Sequence, residues 1–118
     1  MKNDLKWKLR RGEQTVGAWV TIPHMDVSEA LSTLPFDWFV FDDQLSQELI
    51  QAMKGTRVAP LIRVAGNDPV LIKKALDTGA YGVMVPLVST IDDAIKAVKS
   101  CKYPPEGIRG CGPRRMGI

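Results

Sequence analysis

Four short apolar segments alternate with amphipathic segments along this chain, and this alternation constrains the fold more than any other feature. The apolar segments, residues 16–22, 36–41, 58–64 and 82–88, are rich in β-branched and aromatic residues, which is typical of buried strands. Each is followed by apolar residues at helical spacing. The order predicts an α/β fold, a parallel sheet covered by helices. The spacing suits a (β/α) barrel of TIM type and also a small open doubly wound sheet, and periodicity alone does not separate the two.

Helix signals place the boundaries between these segments. A short amphipathic lead-in, residues 1–11, is expected to cover one end of the barrel. Candidate N-caps precede three helices: Asp26 or Ser28 before the first, Asn67 or Asp68 before the third, and Thr90 before the fourth. Because Pro69 suits a first helical turn, capping explains Asn67 and Asp68 better than metal binding does.

Composition limits the class of protein. The 118 residues suffice for a single domain, and 45% hydrophobic with 25% charged residues is a globular balance. No apolar stretch approaches the roughly 20 residues of a spanning helix, and the charged N-terminus does not resemble a signal segment. We therefore expect a cytoplasmic protein without membrane contact. Cys101 and Cys111 fit no familiar zinc spacing and are expected to be free thiols.

Basic residues exceed acidic ones, with a net charge of +3, but they are scattered, so we expect no nucleic-acid partner. The densest group, Arg109, Arg114 and Arg115, could contact an anionic ligand, although a solvated or interface-facing loop is the preferred interpretation. Phosphate binding by the loop Gly107–Gly112 is a weaker alternative, because the loop lacks the Lys-Ser/Thr ending of a P-loop.

A specific succession of motifs runs through the second half of the chain: residues 60–64, 67–80 and 82–88, then Tyr103-Pro-Pro-Glu-Gly-Ile-Arg-Gly110 and Gly112. This succession resembles the HpcH/HpaI aldolase family, and Gly17-Ala-Trp19 with residues 36–42 looks like the first two strands of that family. The resemblance implies that residues 1–118 are one domain, the N-terminal half of a (β/α)8 barrel.

The same resemblance implies an activity. It points to a lyase, a divalent-metal-dependent class II aldolase that cleaves or forms 2-oxo acids with pyruvate enolate as the intermediate. The resemblance also implies small-molecule substrates, namely 2-oxo acids and aldehydes. It further implies a divalent metal cofactor, Mg²⁺, Mn²⁺ or Co²⁺, and a homo-oligomer.

Three residues match site positions of the family. Arg63, at the end of the third strand, is expected to stabilise the enolate oxygen, although a salt bridge at the barrel rim would also suit it. Asp42 ends the second strand and matches an aspartate that supports a catalytic histidine or metal-bound waters, while a helix N-cap is an equal alternative. Trp19 matches a tryptophan that lines the substrate pocket, where a core role is the alternative.

The chain also departs from the family. After the aspartate the family reads X-Glu-His-X-Pro, whereas this chain reads Asp42-Asp-Gln-Leu45, and its single histidine, His24, does not match the catalytic one. The metal ligands of the family lie on strands that would follow Ile118. We expect a longer polypeptide with further segments after Asp42 and Ile118. The alternative is a catalytically inactive half-barrel that acts as an oligomerisation or binding module, because unpaired strand edges invite association.

Overall fold

The computed structural model describes residues 3–42 and 46–112 and contains five helices and four strands within them. In chain order they are α1 (Asp4–Arg10), β1 (Gly17–Val20), α2 (Met25–Ser32), β2 (Trp38–Asp42), α3 (Ser46–Ala52), β3 (Ala59–Arg63), α4 (Pro69–Asp77), β4 (Gly82–Met84) and α5 (Ile91–Cys101). The predicted alternation of strands and helices is therefore confirmed. None of the described helices is long and apolar enough to cross a membrane.

All strand pairs in the sheet are parallel, and the strands lie side by side in chain order, β1-β2-β3-β4. A doubly wound sheet reverses its strand order at a switch point, whereas a barrel adds each strand next to the preceding one. The observed order is that of consecutive barrel strands. This order therefore favours a (β/α) barrel over the open doubly wound sheet.

The two faces of the sheet have different surroundings. One face packs against the helices through two groups of buried residues: Val20, Phe39, Phe41, Leu49, Met53 and Val58, and then Ile62, Val64, Ile72, Ala75 and Ala80. Because side chains alternate along a strand, Trp19, Asp42 and Arg63 share the opposite face. Gly17 is required on this face, since a Cβ there would lie 1.9 Å from the ring of Trp38.

Two boundaries differ from the prediction. Helix α2 begins at Met25, so Asp26 and Ser28 lie inside the helix, and the N-cap is His24, whose Nδ1 accepts a hydrogen bond from the backbone N–H of Asp26 at 3.3 Å. Strand β4 ends at Met84 instead of reaching residue 88. Pro86 has no N–H to continue a strand ladder, and the positive φ of 56° at Leu87 turns the chain away.

The other predicted caps are found. Asp68 accepts hydrogen bonds from the backbone of Val70 and Leu71, with Pro69 in the first turn of α4. Thr90 and Asp93 form a capping box on α5. Asn67 is not a cap; its side-chain amide donates to the backbone carbonyl of Asp93.

Helix α1 lies at the amino ends of the strands. Asn3 donates to the backbone carbonyl of Tyr81 at 3.2 Å, and Lys8 forms an ion pair with Asp37. Tyr81 and Asp37 directly precede β4 and β2. The lead-in therefore covers one end of the sheet, as predicted, and leaves the carboxyl ends of the strands for the candidate site.

Candidate active site

The three residues singled out from the sequence come together at the carboxyl ends of β1, β2 and β3. Asp42 and Arg63 are the last residues of their strands and are partners in the parallel register. Trp19 pairs with Val40 and so lies on the same face, two positions before Asp42. In barrel enzymes the active site is built at this end of the strands.

Direct contacts join these side chains. The Nε atom of Arg63 lies 2.8 Å from Oδ1 of Asp42, and its guanidinium carbon lies 5.2 Å from the ring centroid of Trp19, within the range of a cation–π interaction. The side chains of Arg63 and Asp42 are 47% and 52% exposed. The salt bridge that was the alternative role for Arg63 is therefore present, and it lies at the strand ends where the active site was expected. The alternative role of Asp42 as a helix N-cap involves residues 43–45, which lie outside the described residues.

Met84 extends this group onto the fourth strand. It pairs in register with Arg63, so its thioether side chain lies on the same face, and it is 37% exposed. Sequence reasoning missed Met84 because strand β4 was predicted to continue to residue 88. The alternation of side chains along β4, counted from Gly82 opposite Leu61, is the signal that identifies it.

A second charged cluster lies away from the strand ends. Nη2 of Arg109 donates to Oδ1 of Asp77 at 2.9 Å, Nζ of Lys73 donates to Oδ2 at 2.5 Å, and the guanidinium carbon of Arg109 lies 4.8 Å from the ring centroid of Tyr103. The side chains of Arg109 and Asp77 are only 8% and 10% exposed. The expectation of a solvated loop is therefore wrong for Arg109, which is buried against a carboxylate of the chain itself. Arg114 and Arg115 lie outside the described residues.

The environment of this cluster shifts the ionisation of its carboxyl group. Burial acts to raise the pKa of Asp77, but hydrogen bonds from Lys73 and Arg109 outweigh it, so the net effect lowers the pKa. Gly107 of the same loop has a backbone role, since a Cβ there would lie 2.3 Å from the carbonyl oxygens of Lys99 and Lys102. Cys101 and Cys111 are free thiols, as predicted, and burial raises the pKa of Cys101.

The fit of the described residues to a metal ion can be judged from their donor groups. Residues 3–42 and 46–112 contain no group of three or more His, Cys, Asp or Glu side chains that could hold an ion. His24 and Asp68 cap helices, and Asp42 pairs with Arg63. This part of the chain does not by itself form a site for a divalent cation.

Comparison with known proteins places this geometry in context. The sequence profile described as "HpcH/HpaI aldolase/citrate lyase" matches residues 15–116. The 5-keto-4-deoxy-D-glucarate aldolase of Enterobacter sp. (strain 638) is 39% identical over 115 residues, which cover 92% of this chain and 45% of that protein. The chain thus spans about half the length of the curated relatives it matches.

Solved structures show the same relation. The crystal structure of an HpcH/HpaI aldolase/citrate lyase family protein from Burkholderia cenocepacia J2315 matches with a TM-score of 0.87 at 30% identity, over 94% of this chain and 49% of that one. The citrate synthase SbnG matches with a TM-score of 0.83 at 29% identity, over 93% of this chain and 48% of that one. These likenesses confirm the predicted α/β fold of TIM-barrel type.

Proposed function

Because the chain belongs to the HpcH/HpaI aldolase/citrate lyase family, we propose that it forms the N-terminal half of a (β/α)8 barrel with lyase activity. The proposed reaction cleaves or forms the carbon–carbon bond of a 2-oxo acid, with pyruvate enolate as the intermediate and an aldehyde as the second partner. Support comes from the relatives, which are named as aldolases, and from the parallel sheet with charged groups at its carboxyl end.

The observation that carries this proposal is the half-exposed guanidinium of Arg63 at the carboxyl ends of the strands. When the bond of a 2-oxo acid breaks, negative charge develops on the oxygen of the former ketone. A guanidinium stays protonated throughout and can donate hydrogen bonds to that oxygen, so it stabilises the charge as it forms. In this proposal Trp19 lines the pocket beside Arg63 and excludes water from the pyruvate portion of the substrate.

Metal dependence is the second part of the proposal. A bound Mg²⁺, Mn²⁺ or Co²⁺ would supply Lewis-acid stabilisation of the enolate. The described residues do not fit such an ion, and the resemblance assigns the ligands to strands that follow Ile118. We therefore propose that the ligands lie on strands that follow Ile118 and that the histidine acid/base lies in a further segment that follows Asp42. We further propose that the protein is cytoplasmic and, as the family resemblance implies, a homo-oligomer.

Complementation tests the proposal. The 118-residue chain, with the Glu-His segment of the family inserted after Asp42 to supply the acid/base, is co-expressed with the second half of the Enterobacter 5-keto-4-deoxy-D-glucarate aldolase, and the complex is isolated by size exclusion. Pyruvate release from 5-keto-4-deoxy-D-glucarate is then measured with Mn²⁺ and with EDTA. We expect turnover that EDTA abolishes and that Arg63→Ala reduces about 100-fold or more, the typical loss for an oxyanion donor.

A matched variant controls for the loss of positive charge. Arg57 is exposed and precedes β3 at the opposite end of that strand, so Arg57→Ala is expected to leave turnover within about twofold of the unmodified chain. Turnover that is insensitive to EDTA, or that survives Arg63→Ala, would contradict the mechanism.

A second candidate function, an inactive oligomerisation or binding module, is favoured by the edges of the sheet. Strands β1 and β4 form its two ends and carry no charged residue, although charges commonly protect edge strands. Helix α5 also exposes Ile91 and Ile95, at 80% and 47%. Concentration-dependent assembly of the chain in light scattering, together with no turnover in the complemented barrel, would favour this function over the aldolase.

A further inference from the structure

Arg63 is held from two directions by the two strands that precede its own. The Nε atom of Arg63 lies 2.8 Å from Oδ1 of Asp42. The guanidinium carbon lies over the ring of Trp19, 5.2 Å from its centroid. Both supports come from regular strands, whose backbone positions are fixed by the parallel register. The side chain that the proposed reaction needs is therefore oriented before any substrate arrives.

The partner of Asp42 differs from the one that the family resemblance implies. That resemblance gives the aspartate a histidine to support, but residues 43–45 are Asp, Gln and Leu, and the chain's single histidine is His24. His24 uses its Nδ1 to cap helix α2. The partner that the structure gives to Asp42 is Arg63.

We propose that Asp42 is a positioning residue that acts through Arg63, with Trp19 supporting the face of the guanidinium. This inference rests on the proposed function, in which Arg63 binds the oxygens of a 2-oxo acid. Arginine is a long side chain with much conformational freedom, and its planar group offers five N–H donors in a fixed fork. The ion pair with Asp42 restricts the conformations of this side chain, and the half-exposed guanidinium stays accessible to a ligand carboxylate or enolate.

A role of Asp42 as a negative charge and a role in positioning Arg63 predict opposite changes in anion affinity when Asp42 is removed. If Asp42 were only a negative charge near the site, its removal would strengthen the binding of an anion. If Asp42 positions Arg63, its removal releases a side chain that must be ordered again on binding. Immobilising one such side chain reduces affinity by up to about tenfold.

The experiment uses oxalate, a small dicarboxylate that mimics the pyruvate enolate, and measures its affinity for the 118-residue chain by calorimetry. We expect Asp42→Ala to raise the dissociation constant about two- to fivefold, because the gain from losing a negative charge offsets part of the ordering cost. Asp42→Asn keeps an oxygen acceptor for Nε and should restore affinity to within about twofold. Asp26→Asn is the control, because its carboxylate is exposed and it removes the same charge without touching Arg63.

A second measurement does not depend on the ligand. Nitrogen-15 relaxation of Arg63 Nε should show restricted mobility in the unmodified chain and in Asp42→Asn, and a clear gain in mobility in Asp42→Ala. Unchanged mobility of Arg63 Nε in Asp42→Ala, or oxalate binding that depends on Arg63 and that Asp42→Ala leaves unchanged or tightens, would overturn the inference. If Arg63→Ala does not weaken oxalate binding, the proposed function fails, and the mobility of Arg63 Nε in Asp42→Ala alone decides the positioning role.

Discussion

The buried ion pair between Arg109 and Asp77 gives the sharpest test of how this chain is held together. It joins the loop after α5 to the end of α4, and its two side chains are 8% and 10% exposed. Replacing Arg109 with Met keeps most of the side-chain length and removes the charge. Breaking one partner of a buried pair typically costs about 3 to 5 kcal/mol, because the other charge stays buried without compensation.

In this chain we expect the loss of stability on removing Arg109 to be smaller. Lys73 also bonds to Asp77, so the carboxylate keeps one cation when Arg109 is lost. We therefore expect Arg109→Met to lower the free energy of unfolding by about 2 to 3 kcal/mol, at or just below the lower end of the range. For a chain of 118 residues this corresponds to a fall of about 10 °C in Tm. Urea denaturation and calorimetry measure both quantities.

Two further variants decide whether the charge is responsible. Asp77→Asn combined with Arg109→Met removes both charges of the pair and should recover part of the lost stability, because no carboxylate is left buried. Arg57→Met changes an exposed arginine and is expected to cost less than about 0.5 kcal/mol. A loss below 1 kcal/mol for Arg109→Met, or no recovery in the double variant, would refute this account.

Three further predictions concern the same chain. Because the folded-state pKa of Asp77 is lowered, the Asp77 carboxylate stabilises the fold above its unfolded pKa of about 4, and this stabilisation is lost as the pH falls below that value. Urea midpoints measured from pH 7 to pH 3 should therefore fall less steeply in Asp77→Asn than in the unmodified chain. Gly107→Ala should destabilise by about 1 to 3 kcal/mol, since its Cβ would meet two backbone carbonyls at 2.3 Å, whereas Gly110→Ala, whose Cβ would meet only the Lys73 side chain at 3.5 Å, should cost less. Thr90→Ala removes the N-cap of α5 and should cost about 1 kcal/mol by urea denaturation, and an unchanged midpoint would contradict the capping assignment.

Sequence reasoning reached most of the fold because strands and helices depend on local patterns. Strands and helices follow from periodicity, whereas Asp42 and Arg63 were singled out by the family resemblance, and the structure places both at the carboxyl ends of their strands. The burial of Arg109 could not be read in this way. Its carboxylate partner is 32 positions away in the chain, so only the packing of α4 against the loop brings them together.

The cap of α2 shows a different limit. Asp and Ser are the common N-caps, so the pattern favoured Asp26 and Ser28 over His24. A neutral imidazole also has one nitrogen that can accept a hydrogen bond, and the helix begins at Met25, where only His24 is in the cap position. The exact start of a short helix thus depends on where the preceding loop leaves the sheet, which is a property of the tertiary structure.

The two arginine–aspartate pairs have opposite exposure, and this separates their roles. Arg109 and Asp77 are already removed from water, so their interaction contributes to stability and leaves little surface for a ligand. Arg63 and Asp42 are about half exposed, and an exposed pair contributes at most about 1 kcal/mol to folding. Arg63→Ala should therefore leave the urea midpoint of the chain nearly unchanged while it abolishes oxalate binding. A large loss of stability in this variant would show that the strand-end arginine is part of the scaffold and would remove the main support for the proposed chemistry.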